Sequence, residues 1–192
     1  MRIEPISCAN LQDFLSLFDE TTCSDCYCTA LYNSTWKEFE PLSLENRKKR
    51  VTLVEHGVSD GYLFYEEDEL IGWVQVANIA SLQNLINVSA YFADATGQVV
   101  TCFKVKPEHR RRGFSVKMIG LIVDTVNNAN ARLFAIPTRY NDEFDECRSW
   151  TGTVNAFAKN GFVEIQQEDD DTVIMERITA QEVGAGEADN SG

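Results

Sequence analysis

Residues 99–119 restrict this chain more than any other segment. The run Val99-Val100-Thr101-Cys102-Phe103-Lys104-Val105 is β-branched and aromatic, and Pro107 closes it. After His109-Arg110-Arg111-Arg112-Gly113, apolar residues recur at Val116, Ile119, Ile122, Val123 and Val126. A strand over 98–106 therefore runs through a basic glycine turn into a helix over 114–127. A sheet that feeds a helix in this way must bury one layer against another, which predicts a layered α/β (α+β) domain. The turn has chemistry of its own. The first N–H groups of a helix lack intrahelical acceptors and carry the positive end of its dipole, Gly113 lets backbone approach closely, and three arginines add charge. That makes an anion site suited to phosphate. The plainer reading is a solvated basic loop that caps a helix. Neither G-x-G-x-x-G nor a P-loop is present, which excludes both nucleotide fingerprints.

The rest of the chain supplies partners for this unit. Leu11, Phe14, Leu15, Leu17 and Phe18 predict an amphipathic helix over 10–18 with Asn10 as its cap. Helices are expected over 30–39, before Pro41, and over 44–55, with Ser43 as cap and Gly57 as stop. Residues 61–66 and 69–76 read as a hairpin around Glu67-Asp68. Residues 78–97 show no clear period and read as a variable connection. A strand over 131–136, a helix over 151–160 ending at Gly161, and a strand pair over 162–166 and 172–177 complete the order. Residues 1–178 thus form one domain, with a helical segment over 1–58 and a sheet core over 60–177. Small, polar and acidic residues over 179–192 predict a disordered tail.

Composition narrows the function classes. A chain of 192 residues buries roughly 70% of its unfolded surface, so no disulfide scaffold or structural metal is needed. Of the net charge of −13, −8 falls on residues 163–192. An acidic chain is unsuited to nucleic acid and weakly favours cationic or amine ligands. The longest apolar runs, such as Ile119 to Val123, are too short to cross a bilayer. Met1-Arg2-Ile3-Glu4-Pro5 has no secretory h-region, so a cytoplasmic location is expected.

The turn also matches a known signature. Arg110-x-x-Gly113-x-Ser115 resembles the acetyl-CoA motif of the GCN5-related N-acetyltransferase (GNAT) superfamily, with Ser in the last small position. Gly72-Trp73 in the hairpin, and Ala156-Phe157-Ala158-Lys159-Asn160-Gly161-Phe162, are similar to the same family's hairpin and its helix ending in Gly-Phe. The likeness covers most of residues 60–177. Cys23-x-x-Cys26-x-Cys28, Trp36, Asn46-Arg47, Trp73 and Cys102-Phe103 are similar to a bacterial subgroup of that superfamily. The resemblance implies a mixed, mostly antiparallel central sheet with helices on both faces. It implies acetyl-CoA as cosubstrate and direct transfer of acetyl to a small-molecule or peptide primary amine. The backbone of Phe103 and Val105 would pair with the pantetheine arm. Arg110, Arg111, Arg112, Gly113, Phe114, Ser115 and Val116 would surround the pyrophosphate, the amides of 111–116 holding it. A homodimer is compatible with the sequence.

Transfer needs a neutral amine, a polarised carbonyl and protonation of the leaving thiolate. The family's usual acid is a Tyr four residues before the Gly of Gly-Phe, and here that residue is Phe157, which cannot donate. Tyr140 is the candidate replacement, with Ser149 and Thr151 as other hydroxyls; Asp142, Glu143 and Asp145 are base candidates by proximity. Phe157 and the thiols keep a second class open: a non-catalytic CoA-binding sensor, or a thiol- or zinc-binding regulatory protein. Cys23, Cys26 and Cys28 lack a second C-x-x-C or a histidine pair, so no metal is expected. Tyr27, Cys28, Tyr32 and Trp36 read instead as a near-helical stripe that covers the sheet or floors the acceptor pocket. His56 reads as a helix C-terminal residue.

Overall fold

The computed structural model describes residues 1–20, 25–37, 43–127, 132–139 and 150–177. Its elements are β1 (Arg2–Pro5), α1 (Leu11–Asp19), α2 (Ser43–Glu55), β2 (Gly61–Glu66), β3 (Glu69–Asn78), β4 (Gln98–Val105), α3 (Phe114–Asn127), β5 (Leu133–Ala135), α4 (Val154–Ala158), β6 (Phe162–Gln167) and β7 (Val173–Arg177). The strands form one seven-stranded sheet in the order β1-β2-β3-β4-β5-β7-β6. Every pairing is antiparallel except β4 with β5. The expected mixed, mostly antiparallel sheet is present, and each face carries helices.

Two faces follow from the two-residue period of β2 and β3. Leu63, Tyr65 and Trp73 pack with Phe14, Leu17 and Phe18 of α1, with Val54 of α2, and with Tyr27 and Cys28. Phe64, Val74 and Val100 face the other way, onto Met118, Ile119, Ile122 and Val126 of α3 and Phe157 of α4. With both faces covered, residues 71–77 of β3 are buried without a break. A side chain at Gly72 has no room there, because its Cβ would lie 2.2 Å from the backbone oxygen of Lys104 on β4. Gly72→Ala is expected to cost about 1–3 kcal/mol of unfolding free energy, read from urea denaturation; an unchanged midpoint would show that the two strands can part.

Several expectations shift. Of the expected 30–39 helix, the described residues 30–37 hold one 3-10 turn, Ala30–Tyr32, ended by extended backbone at Asn33, and 38–39 lie outside the described residues. Asn33 Nδ2 is drawn to the carbonyls of Thr29 and Ala30, and the Ser34 hydroxyl to Gln83, so polar side chains compete with helical continuation. The near-helical stripe breaks accordingly. Tyr27 and Cys28 stay buried, but both hold positive φ, +43° and +52°, while Trp36 is 44% exposed. Residues 78–97 are ordered, forming 3-10 turns whose Leu82, Leu85 and Phe92 are buried against Phe134 of β5. β1 went unread because it is short and ends in Pro5, which an edge strand tolerates. The 151–160 helix shortens to α4, with Thr153 as cap. α2 ends as expected: Val58 N–H reaches Leu53 O and Gly57 N–H reaches Val54 O, with Gly57 at φ +82°. His56 caps that end, its Nδ1 2.7 Å from Thr52 O. No helix among the described residues is long and apolar enough to cross a membrane. The expected tail over 179–192 lies outside the described residues.

Candidate functional site

The parallel pairing of β4 with β5 lasts only from Gln98–Leu133 to Val100–Ala135. Where it stops, β4 carries a bulge: Gln75 of β3 pairs with Cys102 and Val76 with Val100, leaving Thr101 over. Such a bulge bends its strand, and beyond it β4 has lost its β5 neighbour. Lys106 N–H donates to Ile71 O, which makes Ile71–Lys106 and Trp73–Lys104 hydrogen-bonded pairs. Phe103 and Val105, at the alternate positions, therefore turn their N–H and C=O groups away from β3 and into the gap.

That gap opens a cleft of about 660 Å³. Phe103, Lys104 and Val105 of β4 form one wall, Arg110, Arg111, Gly113, Phe114 and Ser115 another, and Trp150, Gly152, Thr153 and Ala156 a third; Phe18, Cys26 and Cys102 close the N-terminal side. Two backbone atoms in the gap already have partners. Phe103 N–H donates to Trp150 O at 2.6 Å, and Val105 O accepts from Arg110 Nε at 2.9 Å.

Pro107–His109 form a 3-10 turn, Arg111 sits at φ +57°, and Gly113 at φ +77° leads directly into α3. His109 is buried and anchors the turn. Arg112 NH1 donates to its Nδ1 at 3.2 Å, which places the ring proton on Nε2, directed at Glu69 Oε1 3.0 Å away. Glu69, Glu108 and His109 bring ligand-type atoms within 4.8 Å of one another, but both ring nitrogens of the histidine are already committed. The Phe114 ring packs edge-on to His109, with Arg112 and Lys117 over its face. Lys117 N–H is bonded to Gly113 O, so the N–H groups of Phe114, Ser115 and Val116 precede the helical ladder. A Cβ at Gly113 would meet nothing within 4 Å, so the space over this helix end is open.

The structure thus gathers Phe103, Val105, Arg110, Arg111, Gly113, Phe114 and Ser115 around one cleft. Arg112 and Val116 stand behind it: Arg112 braces His109, and Val116 O accepts from Asn160 Nδ2 at 3.1 Å. Tyr140, Ser149, Asp142, Glu143, Asp145 and Cys23 lie outside the described residues. Thr151 is buried with its hydroxyl 3.0 Å from that of Thr138, in a separate depression shared with Trp36. Phe157 is fully buried, edge-on to Phe162, and does not line the cleft. Among the described residues, none over 78–97 lines it either. Sequence reading missed Lys104, which is buried with Nζ 5.3 Å from the Phe18 ring centre, together with Trp150 and the thiols Cys26 and Cys102. Alternation along β4 was the available signal for Cys102 and Lys104; nothing local marked Trp150.

The cysteine loop is clamped from both sides. Arg50, fully buried, donates to Tyr27 O, Cys28 O and Asp60 Oδ1. Gln75 donates to Cys28 O and Asp60 Oδ2 and accepts from the Thr101 hydroxyl. Tyr32 also donates to Asp60, and burial, then that carboxylate, pushes its phenol far above the usual range. Asn46 Nδ2 holds Asp25 O, while Arg47 binds Asp19, whose carboxyl this contact lowers. Asn46 thus ties α2 to the cysteine loop, and Arg47 ties α2 to the end of α1.

No family model matches the chain, and no curated protein does. Solved structures do. The fold is GNAT-like. The aminoglycoside acetyltransferase AAC(6')-Ib, solved with acetyl-CoA bound, superposes with a TM-score of 0.59 at 13% identity, over 97% of each chain. A GNAT-family acetyltransferase from Streptococcus agalactiae gives 0.56 at 11% identity, over 93% of this chain and 95% of that one. A ribosomal-protein-alanine N-acetyltransferase from Brucella melitensis gives 0.53 at 14%, over 93% and 100%.

Proposed function

We propose that this protein is an acetyl-CoA-dependent N-acetyltransferase acting on a primary amine by direct transfer. One observation carries the reading: the cleft lies where β4 parts from β5 and is capped by the Arg110–Gly113 turn at the N-terminus of α3. The residues present fit acetyl-CoA. The N–H groups of 111–116 and the arginines suit a pyrophosphate, Gly113 leaves the space above them open, and the inward C=O of Phe103 and N–H of Val105 suit an amide-bearing arm. Phe18 and Cys26 from the 1–58 segment border the same cleft. The likeness of the cysteine loop, Trp36, Asn46-Arg47 and Cys102-Phe103 to a bacterial GNAT subgroup belongs to the same reading.

Phe157 favours a second reading, CoA binding without transfer. It does not defeat the first, because a thiol titrating near 8.5 leaves as thiolate with little help from an acid. We assign the residual donor role to Tyr140, which stands ten residues before Trp150 of the cleft wall in the sequence. Thiol release from acetyl-CoA across an amine panel separates the readings: turnover supports transfer, and tight CoA binding without turnover supports the sensor. With a working amine, Tyr140→Phe is expected to lower kcat about tenfold at unchanged KM, well below the full range for acid catalysis. Full activity across pH would dismiss Tyr140.

A further inference from the structure

Cys26, Cys28 and Cys102 make a line of thiols beside the cleft that acetyl transfer does not use. The Cys26 thiol is hydrogen-bonded to Cys28, whose own thiol donates to Cys102 with the two sulfurs 2.6 Å apart. Cys28 and Cys102 are buried, whereas Cys26 is partly exposed; Cys26 and Cys102 both border the cleft. Cys28 and Cys102 come from different layers, 74 residues apart, yet neither sulfur floats. Arg50 and Gln75 both hold Cys28 O, and Gln75 pairs with Cys102 across β3 and β4. The positive φ angles of Tyr27 and Cys28 persist because that clamp imposes them.

A zinc site fits less well. Two thiolates each about 2.3 Å from a tetrahedral zinc stand much further apart than this pair. The bond to Cys28, then burial, holds Cys26 well above its usual range, and burial, then Cys102, does so for Cys28, so exchange through these thiols is slow at neutral pH and quickens as pH rises. Two sulfurs already in contact have little distance left to close.

We propose that Cys28 and Cys102 are a dithiol–disulfide couple oxidised by low-molecular-weight disulfides that enter through the cleft, with Cys26 as the entry thiol. The Cys26 sulfur, deprotonated, attacks one sulfur of the incoming disulfide, and the other leaves as a thiol carrying that proton. Cys28 attacks the Cys26 sulfur and releases the second small thiol. Cys102 then attacks the Cys28 sulfur and returns Cys26 to its thiol. The disulfide is reduced to two thiols, and Cys28 and Cys102 are oxidised to one intrachain disulfide. This proposal does not depend on acetyl-CoA binding.

The test incubates the full, reduced chain with oxidised glutathione, blocks remaining thiols with an alkylating agent, and maps peptides by mass spectrometry. Expected are the loss of two alkylatable thiols, a cross-link joining the Cys28 and Cys102 peptides, and full reversal by dithiothreitol. Cys26→Ser should reach the same cross-link more slowly. Cys102→Ser should instead accumulate a glutathione adduct on Cys26 or a Cys26–Cys28 disulfide. A wild-type chain that keeps every thiol alkylatable, or a cross-link confined to other cysteines, overturns the proposal. Should Cys102→Ser fail to fold, the wild-type map decides alone.

Discussion

Asp60→Ala is expected to lower the unfolding free energy by about 3–5 kcal/mol, the usual cost of leaving a buried charge without its partner. Asp60 is 4% exposed and accepts from three groups: Arg50 at 2.6 Å, Tyr32 at 2.6 Å and Gln75 at 2.7 Å. Removing its carboxylate strands a guanidinium whose surroundings are the rings of Phe14, Tyr32 and Trp73. Those rings favour a cation but do not replace a counter-charge. The double variant Arg50→Met with Asp60→Ala should recover part of the loss, because no unpaired charge remains, though the carbonyls of Tyr27 and Cys28 still lose a donor. Urea denaturation of the wild type and these variants measures both steps. A single-variant loss under about 1 kcal/mol would mean that water reaches Arg50, since exposed pairs are worth no more.

Arg50 also shows where sequence reading stops. It stands in Asn46-Arg47-Lys48-Lys49-Arg50, a run that reads as a solvated helix face, and only its partner Asp60 and the layer it enters make it a core residue. Asn46, Arg50 and Val54 are spaced four apart and form the buried stripe of α2, but two of the three are polar, so the apolar period never revealed it. The strand, turn and helix at 98–127 were legible because period, Pro107, Gly113 and arginines agree within one short segment. The cleft wall was only half legible. Phe103, Val105 and the turn are local to that segment, whereas Trp150 and Cys26 reach it through long-range packing. Its spacing from Gly161 put Phe157 at the position where the family resemblance expects an acid, whereas its burial behind the cleft depends on Phe162 and the α3 face.

Gly113→Val is expected to erase the stabilisation that acetyl-CoA gives the wild-type protein. A ligand at a hundredfold excess over its Kd raises unfolding free energy by about 2.7 kcal/mol, which for a chain of this size is a rise in Tm of about 5–10 °C. Gly113 lies at φ +77° with open space where its Cβ would be. A β-branched residue there is strained, and its side chain fills the space over the first N–H groups of α3. Strain alone does not explain a lost ligand response, and Gly57 supplies the control. It sits at φ +82°, also with nothing within 4 Å, at the C-terminus of α2. Gly57→Val should therefore lower the apo Tm as Gly113→Val does while keeping the acetyl-CoA shift. The measurement is thermal unfolding of wild type and both variants with and without acetyl-CoA. A shift that survives in Gly113→Val would place the pyrophosphate away from this turn, while a shift lost in both variants would trace the effect to weakened folding instead of the anion site.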